Sequence, residues 1–384
     1  VGDRMTFPDP DRMLGCLLGG AIGDALGAPI EGRPIAEIRA KHGPAGLTEY
    51  SDARVRAGAV TDDTQMSLFT ADALIRASVR ERGKGIGGAA PGLLQAAYLQ
   101  WLRTQGEDLP DQDFGGGWLF AQPEMHERRG PGQTCLSALH TIAARRRPYV
   151  PLGSVEEPIN DSKGCGGVMR AAPAGFPFSP RVPDGAAGCR RAAFAMGATS
   201  AALTHGHPSG YLSAGVLAAT VWGLLRGADL ADALDAARTV LESYTDHEET
   251  SASLDAAVAL AREGDALTPE RLETLGGGWT GEEALAIGVC AALSVRDGAP
   301  VDVVRRALRL AVNHSGDSDS TGSICGNLLG ARYGTAALPG HWVAGVELRR
   351  VIVQIAADAA LEFGPNAPAD PRTGDVPMSW HARS

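Results

Sequence analysis

The stretch 313–330, NHSGDSDSTGSICGNLLG, restricts the possible folds more than any other part of the chain. Two carboxylates, Asp317 and Asp319, stand among the hydroxyls of Ser315, Ser318, Ser320 and Thr321. A run with a helix-like pattern follows, in which Ile324, Leu328 and Leu329 are apolar while Gly322, Ser323, Gly326 and Gly330 are small. Side chains this small let another backbone come close to a helix. An Asp-x-Asp-Ser turn at a helix start also gathers hard oxygen donors at one point, as divalent cations require. Ordinary capping accounts for the same residues. Asp and Ser are favoured N-caps, and acids in a first turn gain about 0.3–1 kcal/mol from the helix dipole. The segment alone leaves both readings open.

A second segment shifts the balance. Thr61-Asp62-Asp63-Thr64 precedes QMSLFTADALIRA, where Met66, Leu68, Phe69, Ala73 and Leu74 make a helical stripe. Thr61 is the expected N-cap, with both aspartates in the first turn. The chain thus has two helix openings, distant in sequence, each with a hydroxyl and two carboxylates and no Lys or Arg alongside. Four uncompensated carboxylates brought together in a core repel one another, and a divalent cation is the usual remedy. Oxygen-only donors favour Mg2+, Mn2+ or Ca2+ over zinc, and two such pairs suit a two-metal site that polarises a bridging water. Whether the segments meet is not written in the sequence.

With 384 residues the chain is long enough for a sizeable core. No run of eighteen apolar residues occurs, so no membrane span is expected, and the polar start lacks the apolar centre of a signal peptide. The six cysteines have neither CxxC nor Cys/His spacing, which suggests buried reduced thiols and a cytoplasmic protein. A net charge of −10 argues against generic nucleic-acid binding, which needs clustered Lys and Arg. It leaves room for a nucleotide-sized ligand.

Residues 13–28, MLGCLLGGAIGDALGA, form a tightly packed helix with small residues where another backbone can press in. Asp24 is out of place in that apolar run, and its glycine neighbours suggest a structural role in a crowded interior near the site. Residues 81–92 are expected to be a loop, 104–117 turn-rich, and 342–363 one last helix. Further helices are expected over 91–103, 132–146, 189–203 and 211–225; 229–244 and 251–262 are amphipathic and Ala-rich, 276–283 opens another helix, and 300–312 leads into the Asp317 segment. Gly164-Cys165-Gly166-Gly167-Val168-Met169-Arg170 resembles a loop whose amides contact an anionic or sugar-bearing ligand, a weak signal alone. His205 and His207 are not at i, i+4 spacing, so His205 is a pocket candidate and not a metal ligand. Trp279, on a glycine loop ahead of Glu282 and Glu283, is either a core plug or a stacking surface. Period-two alternation is nearly absent. The class expected is all-α: one multi-helix domain over 11–363 and an irregular tail over 364–384.

In these motifs the chain resembles the ADP-ribosylglycohydrolase family from about Asp11 to about Gly334. The resemblance rests on GCLLGGAIGDALGAPIEG (15–32), TDDTQMSL (61–68), GCGGVMRAAP (164–173), LTHGHP (203–208), GGGWTGEEAL (276–285) and SGDSDSTGSICGNLLGARYG (315–334). It implies an all-α fold with two divalent cations, Mg2+ or Mn2+, at the bottom of an ADP-ribose cleft. The implied ligands are Thr61, Asp62, Asp63, Asp317, Asp319 and Ser320, where Ser320 replaces the family's usual Thr and keeps its hydroxyl. Glu31 matches a glutamate near the distal ribose, and Gly164, Cys165, Gly166, Gly167 and Met169 match the loop along the diphosphate and ribose. Cys165-Gly166-Gly167 stands where the family often has Asn-Gly-Ala or Asn-Gly-Ser. His205, Trp279, Ser315 and Gly316 fall on pocket-wall segments.

The implied chemistry is hydrolysis of the N-glycosidic bond from ADP-ribose to arginine, with Asp63, Asp317 and Glu31 as the catalytic carboxylates. The expected partner is an ADP-ribose-modified protein or small molecule, and a monomer is expected. Other ADP-ribosyl bonds (to serine, in O-acetyl-ADP-ribose, or on a nucleobase) suit the same centre. A non-catalytic ADP-ribose binder and a two-metal phosphoesterase are the remaining alternatives.

Overall fold

Helix α1 (Pro10–Gly27) begins where Asp9 caps it, its carboxylate accepting from the amides of Asp11 (2.9 Å) and Arg12 (3.2 Å), with Pro10 at the first helical position. Its partner is the helix formed by Ser318–Tyr333, and the two backbones touch along a ladder of small residues. Gly15, Gly19, Gly23 and Gly27 meet Gly330, Gly326, Gly322 and Ser318 in antiparallel order. A Cβ on Gly23 would lie 1.9 Å from the carbonyl oxygen of Gly322, and one on Gly326 would lie 1.9 Å from that of Gly19. Asn327 fills the remaining space, donating from Nδ2 to the Cys16 carbonyl at 2.8 Å. Each run had suggested a close neighbour; the structure shows that they are each other's.

The computed structural model describes residues 6–52, 56–85, 87–107, 109, 117–145, 147, 150–177 and 183–367. After α1 come α2 (Ile35–His42), α3 (Asp62–Lys84), α4 (Ala90–Thr104) and α5 (Gln133–Ala143). A second group follows: α6 (Gly185–Ala202), α7 (Pro208–Leu224), α8 (Leu230–Leu241), α9 (Glu248–Leu260) and the short α10 (Pro269–Leu272). The chain closes with α11 (Gly281–Ser294), α12 (Pro300–Val312), α13 (Ser318–Tyr333), α14 (Gly340–Gly345) and α15 (Arg349–Phe363). The fold is all-α. Among the described residues there is no strand, only an isolated antiparallel bridge between Gly164 and Thr280. No helix there is long and apolar enough to cross a membrane.

The core is filled by Leu, Ala, Val and Ile around Trp101, Trp222, Trp342, Phe69, Phe176 and Phe194. All six cysteines are free thiols, and all but Cys165 are buried. His207 caps α7, its Nδ1 accepting from the Ser209 amide at 3.1 Å.

Three expectations change. The loop expected over 81–92 is shorter, because α3 continues through Lys84 until Gly85 ends it in the left-handed region (φ +66°). Helix α6 starts at Gly185 and not 189. The single helix expected over 342–363 is two, α14 and α15, with Leu348 left-handed (φ +57°) between them. Tertiary bonds pull the chain open there. The Glu347 amide donates to the Gly58 carbonyl at 2.8 Å, and its carboxylate accepts from Arg56 (2.8 Å), Arg129 (2.7 Å) and the Val60 amide (3.1 Å). Glu347 thereby fixes the residue before Thr61. Of the stretch 104–117, residues 108 and 110–116 lie outside the described residues, as do 368–384 of the expected tail.

Candidate active site

Three helix ends converge where α1 finishes. The glycine ladder carries the start of α13, with Asp317 as N-cap and Asp319 in the first turn, to the last turn of α1. Asp24, fully buried in α1, attaches the start of α3: both its oxygens accept from the Thr61 amide at 3.0 Å, and Oδ2 accepts from the Thr64 amide and hydroxyl. The structural role expected for Asp24 is therefore to hold α3 in place. Thr61 caps α3, its Oγ1 accepting from the Asp63 amide at 3.3 Å.

These ends form the floor of a cleft of about 290 Å3. Asp62, Asp63, Asp317, Asp319 and Ser320 line it, as does Glu31 just past α1. The two acidic segments, over 250 positions apart, do meet. One wall is the turn ahead of α5, where the Gly132 amide donates to Asp62 Oδ2 at 3.2 Å and the Asp62 amide donates to the Arg129 carbonyl at 2.9 Å. Gly130, Gln133, Thr134 and Cys135 complete that wall. Sequence reading missed them, since Gly130-Pro131-Gly132 signals only a turn. The opposite wall carries Gly164, Cys165, Gly166, Met169, His205 and Trp279.

Trp279 is half exposed and lines the cleft; it is not a core plug. Its loop is fixed: Glu283 Oε2 accepts from the amides of Gly277 (3.1 Å) and Gly278 (3.2 Å), and the Asp317 amide donates to the Gly277 carbonyl at 2.8 Å. Thr61, Gly167, Ser315 and Gly316 lie outside the lining. Gly167 faces Ala201 of α6, and Gly316 presses on the Gly277 carbonyl. Ser315 Oγ accepts from the Ile35 amide at 2.9 Å, tying α2 to the loop ahead of α13.

The acids stand in low dielectric without cationic partners: among the described residues no Lys or Arg pairs with Asp24, Asp62, Asp63, Asp317 or Asp319. Burial first, then the charge of Asp319, holds the carboxyls of Asp62, Asp63 and Asp317 well above the usual carboxylate range, and pushes Asp24 up to about 7. Asp63 Oδ1 is buried with no hydrogen-bond partner. Repelling carboxylates, an orphaned oxygen and an all-oxygen floor are what a hard divalent cation would satisfy, so the donor set fits one. As the side chains are placed, no three His, Cys, Asp or Glu among the described residues close into a ligand cluster. Cys165 Sγ lies 2.7 Å from Asp317 Oδ2. Burial and that carboxylate push the thiol well above its ordinary range, so on its own it is an S–H donor.

His205 is held by a buried chain of hydrogen bonds. Arg170, fully buried, can only donate, and gives a hydrogen to Thr204 Oγ1 at 2.7 Å. Thr204 Oγ1 in turn shares a hydrogen bond with His205 Nδ1 at 2.8 Å, which turns the other ring nitrogen toward Gly164 and Gly166. Burial and the Arg170 charge push this ring down to about 3, so it is a neutral imidazole.

His314 shapes the approach to Asp317. Its Nδ1 accepts from the Gly316 amide (3.2 Å) and Nε2 donates to Thr321 Oγ1 (2.8 Å), while burial pushes the ring down to about 4. An unfolded chain protonates this ring near pH 6.5, the folded one only near 4. The group therefore removes stability as pH falls through that window, up to on the order of 3 kcal/mol. His314→Gln should be less stable than the parent at pH 7.5, and the gap in thermal midpoint should narrow by pH 5. A gap that stays constant or widens would show that the imidazolium is accommodated.

A larger cavity, about 410 Å3, lies among Leu74, Ala77, Met196 and Phe363. It is apolar and brings no pair of acids together, so the smaller cleft is where chemistry is possible.

Comparison with known proteins agrees with this architecture. The family model described as ADP-ribosylglycohydrolase matches residues 6–369. The ADP-ribosyl-[dinitrogen reductase] glycohydrolase of Rhodospirillum rubrum is 24% identical over 373 residues, spanning 93% of this chain and 100% of that protein. A solved structure, an ADP-ribosylglycohydrolase-related protein complex, superimposes with a TM-score of 0.61 at 26% identity, covering 94% of this chain and 99% of the other. Fold, acidic cleft and family match together place this chain in the ADP-ribosylglycohydrolase family, hydrolases that act on glycosidic bonds to ADP-ribose.

Proposed function

We propose that this chain is a divalent-cation-dependent hydrolase of the N-glycosidic bond between ADP-ribose and arginine. The observation that carries the reading is the convergence of Asp62, Asp63, Asp317, Asp319 and Ser320 on one cleft floor without a balancing cation from the protein. Together with Thr61 behind them, these residues would hold two ions, Mg2+ or Mn2+, which supply Lewis acidity toward the distal ribose hydroxyls and a water.

The protein's own groups do the rest. A floor carboxylate, Asp63 or Asp317, takes a proton from the attacking water as its oxygen bonds to the anomeric carbon. The bond from that carbon to the guanidino nitrogen breaks, and the same proton passes to the leaving nitrogen, giving arginine and free ADP-ribose. Positive charge grows on the sugar ring during this step, and a carboxylate-rich floor stabilises it. Glu31, which also lines the cleft, would meet the distal ribose. The Gly166 amide and the neutral His205 ring offer polar contacts to hydroxyls or phosphate oxygens. A cleft of about 290 Å3 suits a ribose with adjoining phosphate, leaving the rest of the ligand along the rim at Trp279.

Mass spectrometry of products from arginine- and serine-modified proteins, with and without chelator, tests the proposal. Release of ADP-ribose from arginine alone, abolished by chelator, is the expected result; release from serine alone, or release unaffected by chelator, overturns it. Trp279→Ala should raise KM about tenfold with a smaller change in kcat, since stacking on an aromatic ring contributes about 1–3 kcal/mol. An unchanged KM would remove Trp279 from the binding surface.

A further inference from the structure

Among the described residues three non-glycine positions have positive φ: Asp184, Asp246 and Leu348. Aspartate adopts that region fairly readily, and a buried leucine does not. The strained turn at Leu348 places Glu347 between two segments that both grip Asp62. One is the chain entering α3. Glu347 Oε2 accepts from the Val60 amide at 3.1 Å and the Glu347 amide donates to the Gly58 carbonyl at 2.8 Å, which fixes the approach to Thr61 and Asp62. The other is the cleft wall. Glu347 Oε1 accepts from the Arg129 guanidinium at 2.7 Å, and the Arg129 carbonyl accepts from the Asp62 amide at 2.9 Å. In the same turn the Gly132 amide donates to Asp62 Oδ2 at 3.2 Å. The other carboxylate paired with Arg129, Glu127, belongs to that turn itself. Glu347 and Arg129 are both mostly buried, where water and salt screen an ion pair poorly.

We propose that Glu347 is a positioning residue for hydrolysis, one that aims Asp62 by holding the chain on both sides of it. The inference rests on the hydrolase reading above and adds the distant residue that keeps the cleft floor aligned. Glu347 does not line the cleft, so it acts only through Asp62. Its two oxygens set two separate segments against each other, Oε2 at the amide before α3 and Oε1 at the guanidinium of the wall. Without them Asp24 still holds the Thr61 amide and Gln105 still accepts from the Arg129 amide, but the Arg129 side chain loses its anchor and the turn at 129–132 can shift against Asp62. A displacement of about 1 Å far from the chemistry can cost about 10²-fold in rate. The substrate contacts at Trp279, Gly166 and His205 lie on other segments, so the effect falls on kcat and not on KM.

The test compares the parent with Glu347→Ala and Glu347→Gln at a temperature where calorimetry shows all three folded. Two quantities are read: kcat and KM on ADP-ribosylarginine, and residue-resolved hydrogen exchange at the Asp62 and Gly132 amides without substrate. Glu347→Ala should lower kcat about 10²-fold with a much smaller change in KM. Exchange at both amides should quicken about tenfold or more, since the bonds to Asp62 open more often. Glu347→Gln keeps one acceptor oxygen and should recover part of the rate and part of the protection together. Parent-like exchange at Asp62 and Gly132 in Glu347→Ala overturns the proposal whatever the substrate. Faster exchange with unchanged kcat overturns it too, since Glu347 would then serve stability alone. A parent that leaves ADP-ribosylarginine intact would defeat the substrate reading, and the exchange comparison alone would then decide for or against Glu347. Should Glu347→Ala fail to fold, Glu347→Gln is judged against the parent by the same two measures.

Discussion

Gly23→Ala is expected to lower the thermal midpoint by about 10 °C and to take activity with it. In an ordinary helix interior the same change is favourable by about 1 kcal/mol, because alanine is the better helix former. Here the new methyl would sit 1.9 Å from the Gly322 carbonyl oxygen and 2.3 Å from its carbon. Backbone cannot rotate aside as a side chain can, so α1 and α13 must part. Overpacking of this kind costs at least about 4 kcal/mol, at the upper end of single-substitution effects, and each kcal/mol shifts the midpoint by about 2–4 °C in a chain of this size class. Gly326→Ala, against the Gly19 carbonyl, should behave alike. Gly83→Ala in the exposed last turn of α3 should be neutral or slightly stabilising. Calorimetric melting of the three variants separates the cases. If Gly23→Ala melted with the parent, the direct backbone contact between α1 and α13 would be refuted.

Asp62→Ala and Asp317→Ala should each remove most turnover, about 10³-fold in kcat/KM on ADP-ribosylarginine, and leave the fold intact. Loss of a cation ligand forfeits several kcal/mol of transition-state stabilisation, and about 4 kcal/mol corresponds to that factor. The stability cost is small by comparison. Asp62 gives up one bond from the Gly132 amide, and Asp317 gives up a cap on the Ser320 amide worth about 1 kcal/mol. Both changes also relieve repulsion among buried acids, so the cation-free variants should melt near the parent or above it. Full retention of hydrolysis by both variants would rule out the proposed mechanism.

Local chemistry was legible in the sequence; pairing was not. Thr61 with Asp62 and Asp63, and Asp317 with Asp319, announced helix starts because capping depends on residues within one turn, and the structure puts caps at Thr61 and Asp317. The small-residue runs announced that a backbone would come close, but nothing within either run names a partner some 300 residues away. Asp24 looked misplaced because its partners, the amides of Thr61 and Thr64, lie on another helix. The break between α14 and α15 left no local mark, since Leu348 and Glu347 are ordinary helix residues and the break follows from Glu347 bonding Val60, Arg56 and Arg129. The wall at Gly132–Cys135 stayed hidden for a similar reason: a Gly-Pro-Gly turn shows that the chain bends, not that its amide reaches Asp62.

The most direct measurement is a calorimetric titration of Mn2+ into chelator-stripped protein, in the parent and with a single Asn substitution on each helix, Asp62→Asn on α3 and Asp317→Asn at the head of α13. Two ions should bind the parent, and either substitution should weaken binding about tenfold or more, because carboxylates from both helix ends share one centre. Binding unaffected by one of the two substitutions, or absent from the parent altogether, would contradict that centre.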